Sequence, residues 1–367
     1  EQPTPYLLEL LTHQSALPVH PASVSKAAQD PTKPESWITN GPYMLRELAP
    51  NSHIRLDRNP HFHAAASVKI DTVIFYPASD LAAAARRFQA GELHLTTDIP
   101  ADQFKALKEK LGDQVRIGPY LATYFLIINS AKPPFDDERV RRALSLQIDR
   151  DFIADRIWGG TMLPAYGVIP PHIGNYGERA ELDFRHASVL EREDEAKRLL
   201  ASAGFGNVPL QVEFRFNTTD NNRHTAEAIA EQWRAIGVET RFVQTDFRTH
   251  FAYLRDGGDF DVARYGWVGD YSDPQNFLFL FESDNAGFNI GKYRNPQFDA
   301  LMKLAAEELD LARRAAILRE ADSIVIREEP WIPILHYSTK NLVSPKLSGF
   351  EQNLRGAIPT RFLSLKA

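Results

Sequence analysis

Strict alternation is clearest in "LQVEFRF" (210–216), where Leu210, Val212, Phe214 and Phe216 fall on one side of an extended chain. The residues that follow, "NTTD", can each accept a backbone hydrogen bond and so start a helix. Apolar residues then recur at helical spacing, at Ala226, Ile229, Ala230, Trp233 and Ile236, and Gly237 supplies the stop before "VETRFV" resumes an extended pattern. The pattern predicts a strand–helix–strand unit with a right-handed crossover. An earlier segment follows the same plan without sequence identity. There "TVIFYP" (72–77) reads as a strand, "DLAAAARRFQAG" (80–91) as a helix closed by Gly91, and "ELHL" as a second strand. Two such units imply two mixed sheets, one in each of two lobes.

Between them, "LATYFLIIN" is apolar throughout but short and β-branched, so it reads as a buried strand. "NSAKPPFDDERVRRALSLQIDR" (129–150) opens with the breakers Pro133 and Pro134, offers Asp136 or Asp137 as a cap, and carries an apolar stripe at Val140, Ala143, Leu144 and Ile148. "WGGTMLPAYGVIPP" (158–171) is a long Gly/Pro loop and the best candidate for a crossing between lobes. The last third predicts amphipathic helices near 297–308 and 311–327, the strand "WIPILHY", and a polar tail containing "LVSPKLSGF".

Composition narrows the function. With 367 residues the chain is long for one core, and 43% hydrophobic with 25% charged residues is ordinary for a globular protein. The net charge of -6, with no long basic run, argues against nucleic acid as partner. No apolar stretch approaches the roughly 18 residues of a membrane helix. The absence of cysteine excludes disulfides, thiolate metal sites and cysteine nucleophiles, and fits an oxidising compartment without requiring one. The opening "EQPTPYLLELL" has neither a basic region nor a cleavage site, so the numbering starts after processing or partway through a larger protein. Common motifs of hydrolases, zinc proteases and nucleotide-binding folds are missing. "HFH" (61–63) could offer two imidazoles, but alternate residues of an exposed turn often do; no metal or cofactor is expected.

One stretch stands apart. After the β-like "FDVA", "RYGWVGDYSDP" (264–274) sets an arginine, a tryptophan, two glycines and two aspartates within eleven residues. Trp267 fits a core position as well as a ligand platform, and Asp273-Pro274 is a turn initiator. Yet Arg264 and Asp270 flank the end of a strand in a lobe built on a βαβ unit, where α/β proteins form binding sites.

Taken in order, "TNGPYML" (39–45), the 129–150 segment, "MLPAYGVIPP", "ARYGWVGDYSDPQNFL" and "RNPQFDALM" resemble the oligopeptide-binding proteins of ABC importers, within the peptide/nickel class of extracellular solute-binding proteins. The resemblance runs from the first residue to the last. It implies an α/β fold of the type II periplasmic binding protein (Venus-flytrap) kind, with two lobes of mixed sheets joined by hinge strands. It also implies a substantial region preceding this sequence. Residues 1–35 are then a crossover segment, 36–130 with 341–367 an incomplete lobe I, and 131–340 a second lobe carrying most ligand contacts. By the same resemblance Asp270 anchors a peptide ammonium, Arg264 helps meet the peptide carboxylate, and Trp267 shapes a side-chain pocket. Gly269 and Tyr271 flank the anchor, and Asn222 stands where some members place a histidine. The implied protein is a periplasmic or cell-surface monomer without catalysis that delivers peptides to the permease subunits of an ABC importer. A murein tripeptide, a sugar-phosphate conjugate, haem or nickel is the alternative solute, and a secreted hydrolase the alternative class. Arg264 and Asp270 together favour a zwitterionic peptide.

Overall fold

The computed structural model describes residues 3–78 and 80–366. The chain divides into two compact units. The larger comprises residues 3–12 with Pro119–Ser338, and the smaller comprises His13–Gly118 with residues 339–366. The boundaries expected near 130 and 340 thus fall at 118/119 and 338/339, both within strands, and the 1–35 segment divides after Thr12. The Gly/Pro loop 158–171 is no crossing. It lies wholly in the larger unit, with Met162, Ala165, Tyr166, Val168 and Ile169 buried and Tyr166 O accepting from Leu182 N at 2.7 Å. A linker exposing that apolar surface would forgo the burial that holds it in place.

In the smaller unit β1 (Tyr43–Ala49), β2 (His53–Arg58) and β3 (Thr72–Phe75) form an antiparallel sheet in that order. Asp80 caps the helix Leu81–Gln89, its carboxylate accepting from Ala83 N at 2.9 Å, and the helix buries Ala84, Ala85 and Phe88. Ala85 and Phe88 pack with Ile99, Leu107, Val115 and Leu342. The earlier βαβ unit does not form. Ile54 of β2 pairs with Phe75 in an antiparallel meander, and the 92–95 segment contributes one bridge, Leu95 to Val343. Its backbone partners come from the C-terminal tail instead, with Ser344 N on His94 O and Thr96 N on Leu342 O. Within the tail, Leu347–Ser348 pairs with Ser364–Leu365.

The larger unit is built on a six-stranded mixed sheet of β4 (Val115–Ile128), β5 (Leu163–Pro164), β6 (Leu210–Asn217), β7 (Val238–Thr245), β8 (Val262–Val268) and β9 (Trp331–Leu342), in the order β5-β9-β4-β8-β6-β7. Here the later βαβ unit forms. β6 and β7 run parallel, and the helix Asp220–Arg234 joins them, capped by Thr219. Its apolar stripe puts Trp233 beside Phe214 at 5.8 Å, with the indole Nε1 donating to Leu144 O at 2.8 Å. A fully buried aromatic of this size contributes on the order of 2–3 kcal/mol, and its polar atom is satisfied. β6 also runs parallel to β8, while β4 pairs antiparallel with β8, Tyr124 opposite Gly266. Asp137 caps Glu138–Leu146, and the late helices are Pro296–Glu307 and Leu311–Glu328. No helix among the described residues is long and apolar enough to cross a membrane.

Candidate functional site

Arg264 lies mid-strand in β8, half-buried, in a setting of neutral groups. Its Nη1 donates to Asn217 Oδ1 at 3.1 Å and its Nη2 to the Tyr337 hydroxyl at 2.7 Å. The guanidinium lies over the Tyr124 ring, 4.7 Å from its centroid. Among the described residues it pairs with no carboxylate. Burial works against its charge, but the Tyr337 and Tyr124 hydroxyls outweigh that and hold its pKa above the ordinary arginine value. The cation is fixed in place and its charge is not neutralised by the protein.

Its supports reach it from three elements. Asn217 ends β6, and its side-chain and backbone oxygens both accept from Asn222 Nδ2, at 3.1 and 3.0 Å. Asn222, in the first turn of the 220–234 helix, is buried and has its amide donor committed to Asn217. It acts on Arg264 through that residue. Tyr337 comes from β9. His250, buried on the helix Phe247–Arg255, bonds through Nε2 to Arg264 O at 2.8 Å. Burial pushes this imidazole down to about 4, so it is neutral near pH 7 and donates its Nε2 proton to that carbonyl. Gly266 leaves room for the group, since a Cβ there would stand 3.2 Å from the Tyr337 hydroxyl oxygen and 3.6 Å from Arg264 Nη2.

Alternation along β8 sends Tyr265 and Trp267 to the opposite face from Arg264 and Gly266. Trp267 is partly exposed and makes edge contacts with Phe279 and Phe288, each at 5.6 Å. Its Nε1 donates to Asn276 Oδ1 at 3.3 Å, and the same oxygen accepts from Asp270 N at 2.8 Å. Asn276 is buried, so it pins both the indole and the backbone of the acid. The Asp270 side chain is exposed. Gly269 is packed so closely that a Cβ would lie 2.8 Å from Leu121 Cγ. Tyr271 is directed inward, its ring stacked on Tyr6 at 5.4 Å and its hydroxyl donating to Gln275 Oε1 at 2.5 Å. Asp273 is structural, with its carboxylate held by the buried Arg314 at 2.7 and 2.8 Å.

The structure therefore gathers Trp267 and Asp270 around Asn276, with Gly269 packed on Leu121 between them, and Arg264 and Asn222 around Asn217. Sequence reasoning missed Asn217, Tyr337 and Asn276. Asn217 stands in "NTTD", read as capping residues, and Tyr337 in "WIPILHY", read only as a strand. Asn276 follows the Asp273-Pro274 turn and carried no signal of its own. Among the described residues no three His, Cys, Asp or Glu are placed to hold a metal.

Comparison with known proteins identifies the family and the fold. The family model "Bacterial extracellular solute-binding proteins, family 5 Middle" matches residues 1–289. The periplasmic oligopeptide-binding protein OppA of Escherichia coli is 35% identical over 352 residues, covering 95% of this chain and 64% of that protein. The periplasmic murein peptide-binding protein MppA of the same organism is 32% identical, covering 96% of this chain and 65% of that protein. The chain thus spans just under two thirds of the length of these curated relatives. Among solved structures, Haemophilus influenzae OppA in complex with RPPGFSPFR superposes with a TM-score of 0.84 at 30% identity, over 99% of this chain and 72% of that one. The Escherichia coli murein tripeptide binding protein MppA gives a TM-score of 0.86 at 31% identity, over 100% and 72%. The fold is that of the type II periplasmic binding proteins. The chain belongs to family 5 of the bacterial extracellular solute-binding proteins.

Proposed function

We propose that this protein captures short peptides outside the cytoplasmic membrane, without catalysis, and delivers them to the permease subunits of an ABC importer. The observation that carries the reading is Arg264, a desolvated cation held by three neutral groups and paired with no carboxylate among the described residues. The setting keeps the group charged while supplying no carboxylate among the described residues, so an anionic ligand group is its natural partner. Asp270, six residues on and exposed, provides the opposite charge for a peptide ammonium, and Trp267 a surface for an apolar side chain. Asn222 is a positioning residue in this scheme, and the larger unit supplies these contacts. The likeness to a protein named for murein peptides keeps a murein tripeptide as the second reading. Native mass spectrometry of the purified protein distinguishes them. A distribution of short-peptide masses supports the first reading, a single discrete mass supports the second, and neither survives if no ligand binds and added peptides give no heat in calorimetry.

A further inference from the structure

Away from Arg264 and Asp270, three cations meet around one small cavity of the larger unit. Arg255 closes the helix Phe247–Arg255, while Lys292 and Arg294 come from the loop before the 296–307 helix; together they line a cavity of about 230 Å³. All three are exposed at its rim, and none has an ion-pair partner among the described residues. No carboxylate lines the cavity, in a chain whose net charge is -6. Asp256, Glu282 and Asp284, each next in sequence to a lining residue, stay out of the lining, as does Asp299, whose Oδ1 accepts from Ser283 N at 3.0 Å behind the wall. Cations on an acidic protein ordinarily sit among acids, so this segregation concentrates positive potential at one concavity.

The walls are prepared for a ligand in two further respects. Ser283 lines the cavity, and its Oγ is buried with no hydrogen-bond partner among the described residues, which leaves a hydroxyl donor unmet. The loop carrying Lys292 is also held rigidly. Asn289 Nδ2 donates to Glu282 O at 3.1 Å and Tyr293 O at 2.7 Å, and its Oδ1 accepts from Tyr293 N at 3.1 Å. Gly291 packs where a Cβ would lie 2.8 Å from Ile128 O, and Lys292 takes a left-handed φ of 54°. The cations are therefore presented by a fixed backbone, which lowers the ordering cost of binding.

We propose that this cavity binds a phosphate group, either as the free ion or as the phosphomonoester headgroup of a lipid surface. Two guanidinium forks and an ammonium match a multiply charged oxyanion with several acceptor oxygens, and the Ser283 hydroxyl, buried in the wall, becomes a further donor only if its side chain turns toward the ligand. The proposal does not depend on the peptide reading. The test is calorimetry with sodium phosphate against sodium chloride of matched ionic strength, on the full chain and on the R255Q/K292Q double variant. The expected result is saturable one-to-one binding, about tenfold or more weaker in the variant. In parallel, the chain is sedimented with phosphatidylcholine vesicles with and without phosphatidic acid. Phosphate binding without vesicle binding identifies the free ion; binding only to vesicles with phosphatidic acid, competed by phosphate, identifies the headgroup. As a check independent of the variant, phosphate should shift the methyl resonances of Leu254 and Ile290 in the wild-type protein. No saturable binding of either probe, equal binding by the variant, or shifts confined to other methyls overturns the proposal.

Discussion

The proposed roles of Asp270 and Arg264, one for each charge of a zwitterion, make separable predictions. Truncating one partner of a buried charge pair costs about 2–5 kcal/mol, largely because the other charge is left unpaired. Asp270 is exposed in the ligand-free protein, so this cost applies once a bound peptide covers it, and Asp270→Ala should then weaken binding of a free-amine tripeptide by a factor of roughly thirty to several thousand. N-acetylating the peptide should reproduce that loss on the wild type and add little on the variant. Calorimetry measures all four combinations, and equal affinity of acetylated and free peptide for the wild type would remove Asp270 as the ammonium anchor. Arg264 is read through its support. Asn217→Ala frees one arm of the guanidinium and leaves Asn222 Nδ2 without its side-chain acceptor. It is expected to weaken tripeptides with a free carboxylate by about tenfold. C-terminally amidated tripeptides, already lacking that anion, should bind the variant and the wild type alike. An equal loss for both peptides would make the role of Asn217 merely structural. At this scale the charged residues were legible because Arg, Trp and Asp at a strand end are chemically conspicuous. The amides that aim them were not, since an asparagine two residues before a helix cap looks like another cap.

At the scale of elements, β8 and the turn that follows it carry the candidate site and restrict what can replace the glycine between them. Gly269 has no positive φ, so its need for glycine comes from space: Leu121 Cγ at 2.8 Å and Phe277 Cε2 at 3.1 Å from an added Cβ. Gly269→Ala should cost about 1–3 kcal/mol of stability, as overpacking does in a filled core. It should also weaken peptide binding by displacing the backbone that Asn276 fixes. Urea denaturation followed by calorimetry checks both, and an unchanged midpoint would show that Leu121 gives way freely. The βαβ unit at 210–245 could be read directly because alternation, cap, helical stripe and glycine stop all agree locally. The earlier copy misled for an opposite reason. "ELHL" alternates like a strand, but its pairing partner is the chain around 342–344, more than two hundred residues away, and only one bridge forms. Local pattern carries no information about which distant segment will claim a backbone.

For the whole molecule, buried titratable groups set a distinctive dependence on pH. Asp322 is fully buried on the helix Leu311–Glu328, where Oδ2 accepts from the Tyr176 hydroxyl and Ala180 N, both at 2.9 Å, and Oδ1 has no partner among the described residues. Burial pushes its carboxyl up from 3.8 to about 7. The folded state thus holds a proton that the unfolded state releases between those values, and stability contributed by this group falls as pH rises through that window. Asp322→Asn removes the titration. Its melting temperature relative to the wild type should rise between about pH 4 and 7 and level off above. A difference that stays constant with pH would mean that Asp322 is ionised in the folded protein throughout. His336 and His250 act in the other direction. Burial pushes them down from 6.5 to about 3 and about 4, so their contribution is lost as pH falls below about 6.5. His336→Gln, which replaces the imidazole that bonds Thr123 Oγ1 at 3.0 Å, should flatten the acid limb of the melting curve. An unaltered acid limb would assign that loss to other groups.

By itself the sequence determined the larger elements, the α/β class, the family and the charged residues in β8 and just after it. Each of these rests on short-range pattern or on chemistry carried by single side chains. Only the tertiary structure decided the rest. It moved the unit boundaries into β4 and β9, buried the 158–171 loop, and assigned the strand 72–75 to an antiparallel meander. It also committed the Asn222 amide to Asn217, and it set β6 beside β8 and β9 one strand beyond, across β4, so that Asn217 and Tyr337 meet Arg264. These outcomes depend on competition between segments far apart in the chain for the same hydrogen bonds and the same buried volume, and no local stretch of sequence records the winner.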